Sequence, residues 1–267
     1  MDSIEHLYID LLKRCVSNYI YDDDLDLVGG KMIASSETGK FRSVECPPAN
    51  PQQKFFGQIW PSRAHTMIGV PRLNNIQYCV EQVLEAGVRG DFIETGVWRG
   101  GASIFMRGML KAYGIADRKV WVADSFEGLP QEDADRYPQG ADIDWHKYSD
   151  LAVALEQVRT NFDRYGLLDD QVEFLKGWFC DTLPHAPIGE LAIMRLDGDL
   201  YSSTIDALVN LYPKLSPGGF VIVDDYGAIP SCNDAVNDFR RQRNIAARLE
   251  AIPGSGAFWR KELAERQ

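Results

Sequence analysis

The chain has 267 residues, of which 45% are hydrophobic and 25% charged, a composition that is ordinary for a globular protein and excludes a disordered chain. Its 39 acidic and 28 basic residues leave a net charge of -11, and such a surface repels nucleic acid and anionic lipids. The sequence contains no apolar run long enough for a membrane helix and no basic, apolar signal peptide at its start. We therefore expect a cytoplasmic protein that binds neither nucleic acid nor membrane.

The first 90 residues differ in texture from the rest of the chain. The spacing of apolar residues predicts a helix from Ile4 to about Tyr19 and a second one from Pro71 to Ala86. An acidic turn and a loop-rich stretch with several prolines separate the two helices. We expect residues 1–90 to form a helical and lid segment rather than an independent domain.

From residue 91 onward, short apolar runs alternate with helical patterns. The predicted strands are Asp91–Thr95, Val120–Ala123, Val172–Leu175, Leu191–Leu196 and Phe220–Val223, with a closing pair at Arg248–Ile252 and Ala257–Arg260. The predicted helices are Gly101–Tyr113, Leu151–Tyr165, Ser202–Leu215 and Asn233–Gln242. This alternation predicts an α/β fold with a parallel sheet and helices on both faces. Because ligands bind outside the carboxyl ends of such strands, the residues that follow each strand are the candidates for function.

The first predicted strand leads into a turn that contains several glycines, Glu94-Thr95-Gly96-Val97-Trp98-Arg99-Gly100-Gly101. Glycines between a strand and a helix let the backbone approach a ligand closely. Gly96 and Gly100 do not have the GxGxxG spacing of a dinucleotide site, and Glu94 would repel a pyrophosphate. The turn therefore favours a ligand with an ammonium group, and a plain strand–helix turn is the alternative.

An acidic residue, Asp124, ends the second predicted strand and is followed by Ser125. A carboxylate at this position can accept hydrogen bonds from both ribose hydroxyls of an adenosine, although a lone Asp is also a common turn former. The glycine turn next to it favours the ribose interpretation. Gly177 and Trp178 follow the third strand, where an aromatic ring can flank a planar base or simply pack in the core.

Four carboxylates follow the fourth and fifth predicted strands, namely Asp197, Asp199, Asp224 and Asp225. Neighbouring strands lie roughly 4.8 Å apart, so these groups would repel one another unless they are protonated or bound to a cation. A hard divalent ion such as Mg²⁺ prefers carboxylate oxygens. Separate helix caps and turns are the alternative explanation.

Two further segments are candidates for closing over a ligand. Residues 60–67 are rich in hydrogen-bond donors and contain His65. Residues 127–150 contain His146 and are too many for a plain connector, which makes this stretch a candidate substrate loop. Neither histidine has metal-ligand spacing, and we expect structural roles for both.

Together these motifs resemble those of the macrocin O-methyltransferase family. They are Glu94-Thr95-Gly96-Val97-Trp98-Arg99-Gly100-Gly101, Ala123-Asp124-Ser125-Phe126-Glu127-Gly128, Leu196-Asp197-Gly198-Asp199 and Val223-Asp224-Asp225-Tyr226, and the resemblance runs from about Trp60 to Lys261. Members of this family methylate sugar hydroxyls of antibiotics and related natural products. The resemblance implies a Rossmann-like class I S-adenosylmethionine-dependent methyltransferase domain over residues 91–267, with seven strands of which the last is antiparallel, and a Mg²⁺-dependent reaction.

The resemblance also implies roles for individual residues. Asp197, Asp224 and Asp225 would hold Mg²⁺, and Asp199 would be the general base. The residues that would contact S-adenosylmethionine are Thr66, Met67, Glu94, Thr95, Gly96, Ser103, Asp124, Ser125, Gly177, Trp178 and Asp181. The acceptor would be a small glycosylated molecule, and we expect a homo-oligomer, a dimer or larger.

Two other enzyme classes share part of the pattern. Asp197-Gly198-Asp199 is also a DxD motif, which many glycosyltransferases use to bind a metal and a nucleotide sugar, but that interpretation leaves the Asp224-Asp225 pair unexplained. A methyltransferase of the catechol type would use the same metal chemistry on an aromatic diol. A scaffold without activity is disfavoured, because it would have no reason to retain four carboxylates that repel one another.

Overall fold

The structure, a computed structural model, describes residues 3–27, 33–34, 41–42, 46–138 and 143–262. Its helices in chain order are α1 (Ile4–Val16), α2 (Pro51–Phe56), α3 (Gly69–Glu85), α4 (Gly101–Ala112), α5 (Leu155–Arg164), α6 (Phe179–Thr182), α7 (Tyr201–Leu211) and α8 (Pro230–Gln242). Its strands are β1 (Ile33–Ala34), β2 (Phe41–Arg42), β3 (Asp91–Thr95), β4 (Val120–Asp124), β5 (Val172–Lys176), β6 (Leu191–Leu196), β7 (Leu215–Val223), β8 (Glu250–Ala251) and β9 (Ala257–Arg260).

Seven of these strands form one sheet in the order β5-β4-β3-β6-β7-β9-β8. Strands β3 to β7 are parallel, and Thr95 at the end of β3 lies opposite both Ala123 and Leu196. Strand β9 runs antiparallel between β7 and β8. The predicted α/β sheet of seven strands with the last one antiparallel is confirmed. Strands β4 and β6 pair with β3 on opposite sides, so the order of strands reverses at β3. The carboxyl end of β3 is therefore the switch point at which such sheets bind ligands.

Buried apolar side chains pack on both faces of the sheet. One face is covered by α1, α3, α4 and α5, and the other by α7 and α8. Leu12 of α1 and Ile76 of α3 belong to the same cluster of buried residues as Phe92 of β3. The N-terminal segment therefore buries apolar surface against the sheet. That residues 1–90 do not form an independent domain stays a prediction.

Several element boundaries differ from the predictions where a proline or a tight turn interrupts the pattern. Helix α7 ends at Leu211 rather than Leu215, because a 3-10 turn containing Pro213 follows it and proline cannot donate the next helical hydrogen bond. Strand β7 begins at Leu215 rather than Phe220. The sequence did not predict this early start, because the first residues of the strand, Leu-Ser-Pro-Gly-Gly, have the composition of a turn. Helix α5 starts at Leu155 rather than Leu151, after another 3-10 turn.

The loop-rich part of the N-terminal segment contains short elements that were not predicted. The side chain of Asn50 caps α2 by accepting hydrogen bonds from the backbone N–H groups of Gln52 and Gln53. Strands β1 and β2 pair antiparallel. Among the described helices, none combines the length and the apolar character that crossing a bilayer requires.

Candidate functional site

A cavity of about 1010 Å³ opens at the carboxyl ends of the parallel strands. It is lined by these predicted site residues: Thr66, Met67, Glu94, Gly96, Asp124, Ser125, Gly177, Trp178, Asp197, Asp199, Asp224 and Asp225. Thr95, Ser103 and Asp181 lie outside the lining that the structure describes. The sheet topology therefore collects in one cavity residues that are far apart in the sequence.

The glycine turn after β3 brings three parts of the chain into close contact. Gly96 has a φ of +82°, and a Cβ atom at this position would lie 1.8 Å from the carbonyl oxygen of Asp197, so only glycine fits. A Cβ atom on Gly101, the first residue of α4, would lie 2.5 Å from the carbonyl oxygen of His65. The Gly101 N–H donates to that same oxygen over 2.9 Å. This contact fixes the segment that contributes Thr66 and Met67 to the cavity.

Glu94 is buried at the switch point and has a partner on each carboxylate oxygen. Arg195 donates to its Oε1 over 2.5 Å, and the hydroxyl of Ser103 donates to its Oε2. Burial raises the pKa of Glu94 to about 7, although Arg195 and Ser103 act in the opposite direction. Ser103 thus orients Glu94 rather than facing the cavity itself.

The Asp124 carboxylate is held by backbone N–H groups at the end of β4. The N–H of Val97 donates to Oδ2 and the N–H of Phe126 donates to Oδ1, each over 2.7 Å. Burial nevertheless raises its pKa, because desolvation disfavours the charged form. The carboxylate lines the cavity, where an acceptor of this kind suits a diol such as a ribose. Ser125 donates to the carbonyl oxygen of Gly128 over 2.6 Å and shapes the same turn.

Three acidic side chains converge at the ends of β6 and β7. Asp197, Asp199 and Asp225 each place a carboxylate oxygen within 4.8 Å of the others. Asp225 is buried, and its Oδ2 has no hydrogen-bond partner among the described residues. Burial and the neighbouring carboxylates raise the pKa of Asp199 to about 8 and also raise that of Asp225. Of the three, only Asp197 has an ion-pair partner among the described residues, namely Arg195. Three converging carboxylate oxygens with so little counter-charge fit a hard divalent cation such as Mg²⁺.

Asp224 differs from these three, because each of its two carboxylate oxygens is paired with a guanidinium group. Arg72 donates to its Oδ2 and Arg195 donates to its Oδ1, and both arginines are buried. Arg195 also donates to Asp197 over 2.8 Å. The assignment of Asp224 as a metal ligand stays a prediction, and in this structure both of its oxygens are paired.

The sequence analysis missed two arginines, Arg72 and Arg195, that pair with carboxylates of the site. Arg195 is fully buried in β6 and joins Glu94, Asp197 and Asp224 in one network. A lone arginine inside the apolar run Leu-Ala-Ile-Met-Arg-Leu was a usable signal, because a buried charge requires partners. Arg72 offered no such signal, since its position near the start of α3 is ordinary for a solvated arginine.

The two predicted closing segments meet above the cavity. The ring of Trp60 makes edge contacts with Trp145 at 6.4 Å and Tyr148 at 5.6 Å between centroids, and both tryptophans line the cavity. Residues 139–142 of the predicted substrate loop lie outside the described residues. Neither His65 nor His146 is part of the described lining. His65 instead shares a 2.7 Å hydrogen bond with the hydroxyl of Tyr165.

Two predicted cofactor residues lie away from the open cavity. Thr95 is buried at the end of β3, where its hydroxyl donates to the carbonyl oxygen of Arg195 over 3.5 Å. Asp181 is exposed on the short helix α6. Their contacts with S-adenosylmethionine stay predictions.

Comparisons with known proteins show which family the chain belongs to. The sequence model of the macrocin O-methyltransferase family (TylF) matches residues 5–261, so the similarity includes most of the first 59 residues, where no resemblance was predicted. The chain is 55% identical over 259 residues to the 8-demethyl-8-(2,3-dimethoxy-alpha-L-rhamnosyl)-tetracenomycin-C 4'-O-methyltransferase of Streptomyces olivaceus, covering 97% of this chain and 94% of the relative. It is 50% identical over 258 residues to the mycinamicin III 3''-O-methyltransferase of Micromonospora griseorubida, covering 96% of each.

Solved structures give the same result. The O-methyltransferase NovP superposes with a TM-score of 0.85 at 47% identity, covering 97% of this chain and 99% of that one. The calicheamicin methyltransferase CalS11 superposes with a TM-score of 0.55 at 20% identity over 97% and 94% of the two chains, which supports the fold alone. Because the matching family and relatives are methyltransferases, the glycosyltransferase alternative is wrong. The chain belongs to the macrocin O-methyltransferase family and is an O-methyltransferase.

Proposed function

We propose that the protein transfers the methyl group of S-adenosylmethionine to a hydroxyl of a sugar on a natural product, with Mg²⁺ and with Asp199 as the general base. One observation carries this proposal. The carboxylates of Asp197, Asp199 and Asp225 line the same cavity as Glu94 and Asp124. A sugar hydroxyl is a poor nucleophile, so a site that contains both a methyl donor and a proton acceptor is what the reaction needs.

The cofactor would lie along the ends of β3, β4 and β5. Glu94 would meet the ammonium group of the amino-acid end, and Asp124 would accept hydrogen bonds from the ribose hydroxyls. Gly177 and Trp178 would flank the adenine. This order follows the order of strands in the sheet, because β3, β4 and β5 are adjacent.

Asp197 and Asp225 would hold the metal, with Asp224 as the further ligand that the family resemblance implies. When bound, Mg²⁺ supplies Lewis-acid chemistry that lowers the pKa of a hydroxyl it contacts. Asp199 lines the cavity beside these residues and has a φ of 60°, in the left-handed region of backbone conformation. Its carboxylate would take the proton from the acceptor hydroxyl while the oxygen–methyl bond forms and the sulfur–methyl bond breaks, leaving the neutral sulfide.

The printed name of one relative constrains the acceptor chemistry. The rhamnosyl acceptor of the Streptomyces olivaceus enzyme carries methoxy groups at positions 2 and 3 and is methylated at position 4′. The oxygen next to its reacting hydroxyl is therefore an ether. For the present protein we infer that the neighbouring oxygen of the acceptor sugar needs a lone pair rather than a proton.

Calorimetry followed by a methyl-transfer assay tests the proposal. Saturable micromolar binding of S-adenosylmethionine, with no binding of a UDP-sugar, is expected. The second step incubates the protein with rhamnosyl tetracenomycins, mycinamicin III and an unglycosylated catechol, with Mg²⁺ or with EDTA, and detects methylated product by mass spectrometry.

We expect product from a glycoside only when Mg²⁺ is present. Methylation of the catechol but of no glycoside would contradict the sugar assignment. Equal product in EDTA would contradict the role of the metal, and it would leave the methyltransferase activity itself intact.

A further inference from the structure

Glu132 is a buried carboxylate in the candidate substrate loop. It is 7% exposed and lines the cavity, although most glutamates with so little exposure are paired with a cation. The functions assigned so far to the cavity do not use it. Its two oxygens have different environments, and that difference indicates a role.

One oxygen of Glu132 has a structural partner. The backbone N–H of Ser202 donates to Oε2 over 3.3 Å. Ser202 lies in the first turn of α7, and Leu200 at the N-cap position provides no side-chain cap. Glu132 thus caps this helix from another part of the chain, which stabilises a terminus with unpaired N–H groups.

The other oxygen, Oε1, is buried and has no hydrogen-bond donor among the described residues. A carboxylate oxygen removed from water without a donor is costly, so such groups are normally satisfied by a partner. Because Glu132 lines the cavity, a ligand in that cavity can supply the missing donor. Helix capping accounts for Oε2 and leaves Oε1 unexplained.

The surroundings of Glu132 suit a polyhydroxylated ligand. Asp206 and Arg136 line the same cavity, and burial together with the charge of Glu132 raises the pKa of Asp206 while Arg136 opposes that shift. The ring of Tyr137 packs 5.1 Å from the ring of Tyr201, which holds this part of the loop against α7. Hydrogen-bond acceptors and a donor therefore lie together at this end of the cavity.

We propose that Glu132 accepts a hydrogen bond from a free hydroxyl of the acceptor, at a position other than the reacting hydroxyl and the oxygen next to it, and so selects against acceptors already O-methylated there. This inference rests on the proposed function. A carboxylate can only accept hydrogen bonds, whereas a hydroxyl can donate one and a methoxy group cannot. A methoxy group would leave Oε1 without a donor and would also add a methyl group beside it.

The test compares pairs of glycosides, made from rhamnosyl tetracenomycin and mycinamicin III, that carry a hydroxyl or a methoxy group at one sugar position. For the wild-type enzyme we expect kcat/KM to be at least about tenfold higher for the hydroxyl member of one such pair. In Glu132→Gln the amide oxygen can still cap Ser202, while the amide NH₂ now donates. The preference should therefore fall about tenfold or reverse, with Tm and the Kd of S-adenosylmethionine unchanged.

Glu127→Gln is the matched control. Glu127 belongs to the same loop, is exposed, pairs with Lys176 at 3.5 Å and is not among the described lining residues. Its replacement should leave the hydroxyl preference of the enzyme unchanged.

Three results would overturn the proposal. The first is an unchanged preference in a folded, active Glu132→Gln enzyme. The second result matters if the Tm of this variant is lowered. In that case, equal kcat/KM values of the wild-type enzyme for both members of every pair would show that no such selection exists. The third is no methyl transfer to any glycoside, which refutes the proposed function as well, whereas the first two refute the role of Glu132 alone.

Discussion

The carboxylates at the ends of β3 and β4 and those at the ends of β6 and β7 have different environments. Glu94 and Asp124 have a protein donor on every carboxylate oxygen. The carboxylates of Asp199 and Asp225 instead lie close to each other and to that of Asp197, and the Oδ2 of Asp225 lacks a donor among the described residues. The carboxylates at the ends of β3 and β4 are thus paired within the protein, whereas Asp199 and Asp225 have no ion-pair partner among the described residues and are expected to need a cation.

Adjacent residues show the same difference within a single turn. Asp224 and Asp225 follow β7 together, yet Asp224 pairs with Arg72 and Arg195 while Asp225 faces the other acidic side chains. Successive side chains at a strand end point in opposite directions, so neighbours in sequence can lie in different electrostatic environments. Residue type and position alone therefore do not identify which aspartate needs a cation.

The largest expected effect is on turnover in Asp199→Asn. The amide cannot take a proton, so kcat should fall about 10²- to 10⁴-fold, the usual contribution of a general base. The Kd of S-adenosylmethionine should not change, because Asp199 belongs to the acidic group at the ends of β6 and β7 and not to the proposed cofactor residues. Both are measured on the same preparation, and turnover close to that of wild type would refute the role of Asp199.

Arg195→Met should have the next largest effect, and on stability. It removes the guanidinium that Glu94, Asp197 and Asp224 share. Removing one partner of a buried ion pair typically costs about 3–5 kcal/mol, because the remaining charges are uncompensated. Urea unfolding measures the loss. Lys119→Met, which breaks an exposed pair with Glu173, is the control and should cost less than about 1 kcal/mol. Similar losses in both variants would contradict the importance of the network.

A smaller effect is expected on cofactor affinity in Asp124→Asn. The amide can accept only one of the two backbone hydrogen bonds and loses the charge, so the Kd of S-adenosylmethionine should rise about tenfold. Asp181→Asn is the comparison, since Asp181 is exposed and outside the described cavity lining. Calorimetry on both variants would sharpen the cofactor assignment. A larger loss of affinity in Asp181→Asn than in Asp124→Asn would reverse it.

The smallest effect concerns the pH dependence of stability and involves the buried imidazole of His65. Burial, together with Arg99 and Arg164, lowers the pKa of His65 from 6.5 to about 4. Between these values the unfolded chain binds a proton that the folded chain does not, so this contribution to stability is lost as the pH falls from about 6.5 towards 4. The free energy of unfolding should fall more between pH 7 and pH 5 in wild type than in His65→Gln. An identical fall in both proteins would show that His65 does not contribute.

Much of the fold could be predicted because the central strands β3, β4 and β6 are short apolar runs followed by turn residues. The run Asp91–Thr95 and the run Leu191–Leu196 match β3 and β6 residue for residue. Parallel topology then placed Glu94, Asp124, Asp197 and Asp225 at one edge, as the cavity shows. Local pattern and the rule for α/β sheets were sufficient for this level of the site.

The pairing of charges could not be predicted in the same way. Arg72 and Asp224 are 152 residues apart, and only the packing of α3 against the sheet brings them together. Three of the four aspartates converge, whereas Asp224 has both oxygens paired with arginines, and this difference depends on that contact. The same holds for Glu132, whose partner Ser202 lies 70 residues further along the chain.

The most direct test of the contrast between these two groups of carboxylates, at the ends of β3 and β4 and at the ends of β6 and β7, is calorimetry. The protein is titrated with Mg²⁺ in the presence of S-adenosylmethionine. We expect one saturable site in wild type and in Asp124→Asn, and no saturable binding in Asp225→Asn. The absence of saturable Mg²⁺ binding in wild type, or its persistence in Asp225→Asn, would contradict the conclusion that the carboxylates at the ends of β6 and β7 form a cation site.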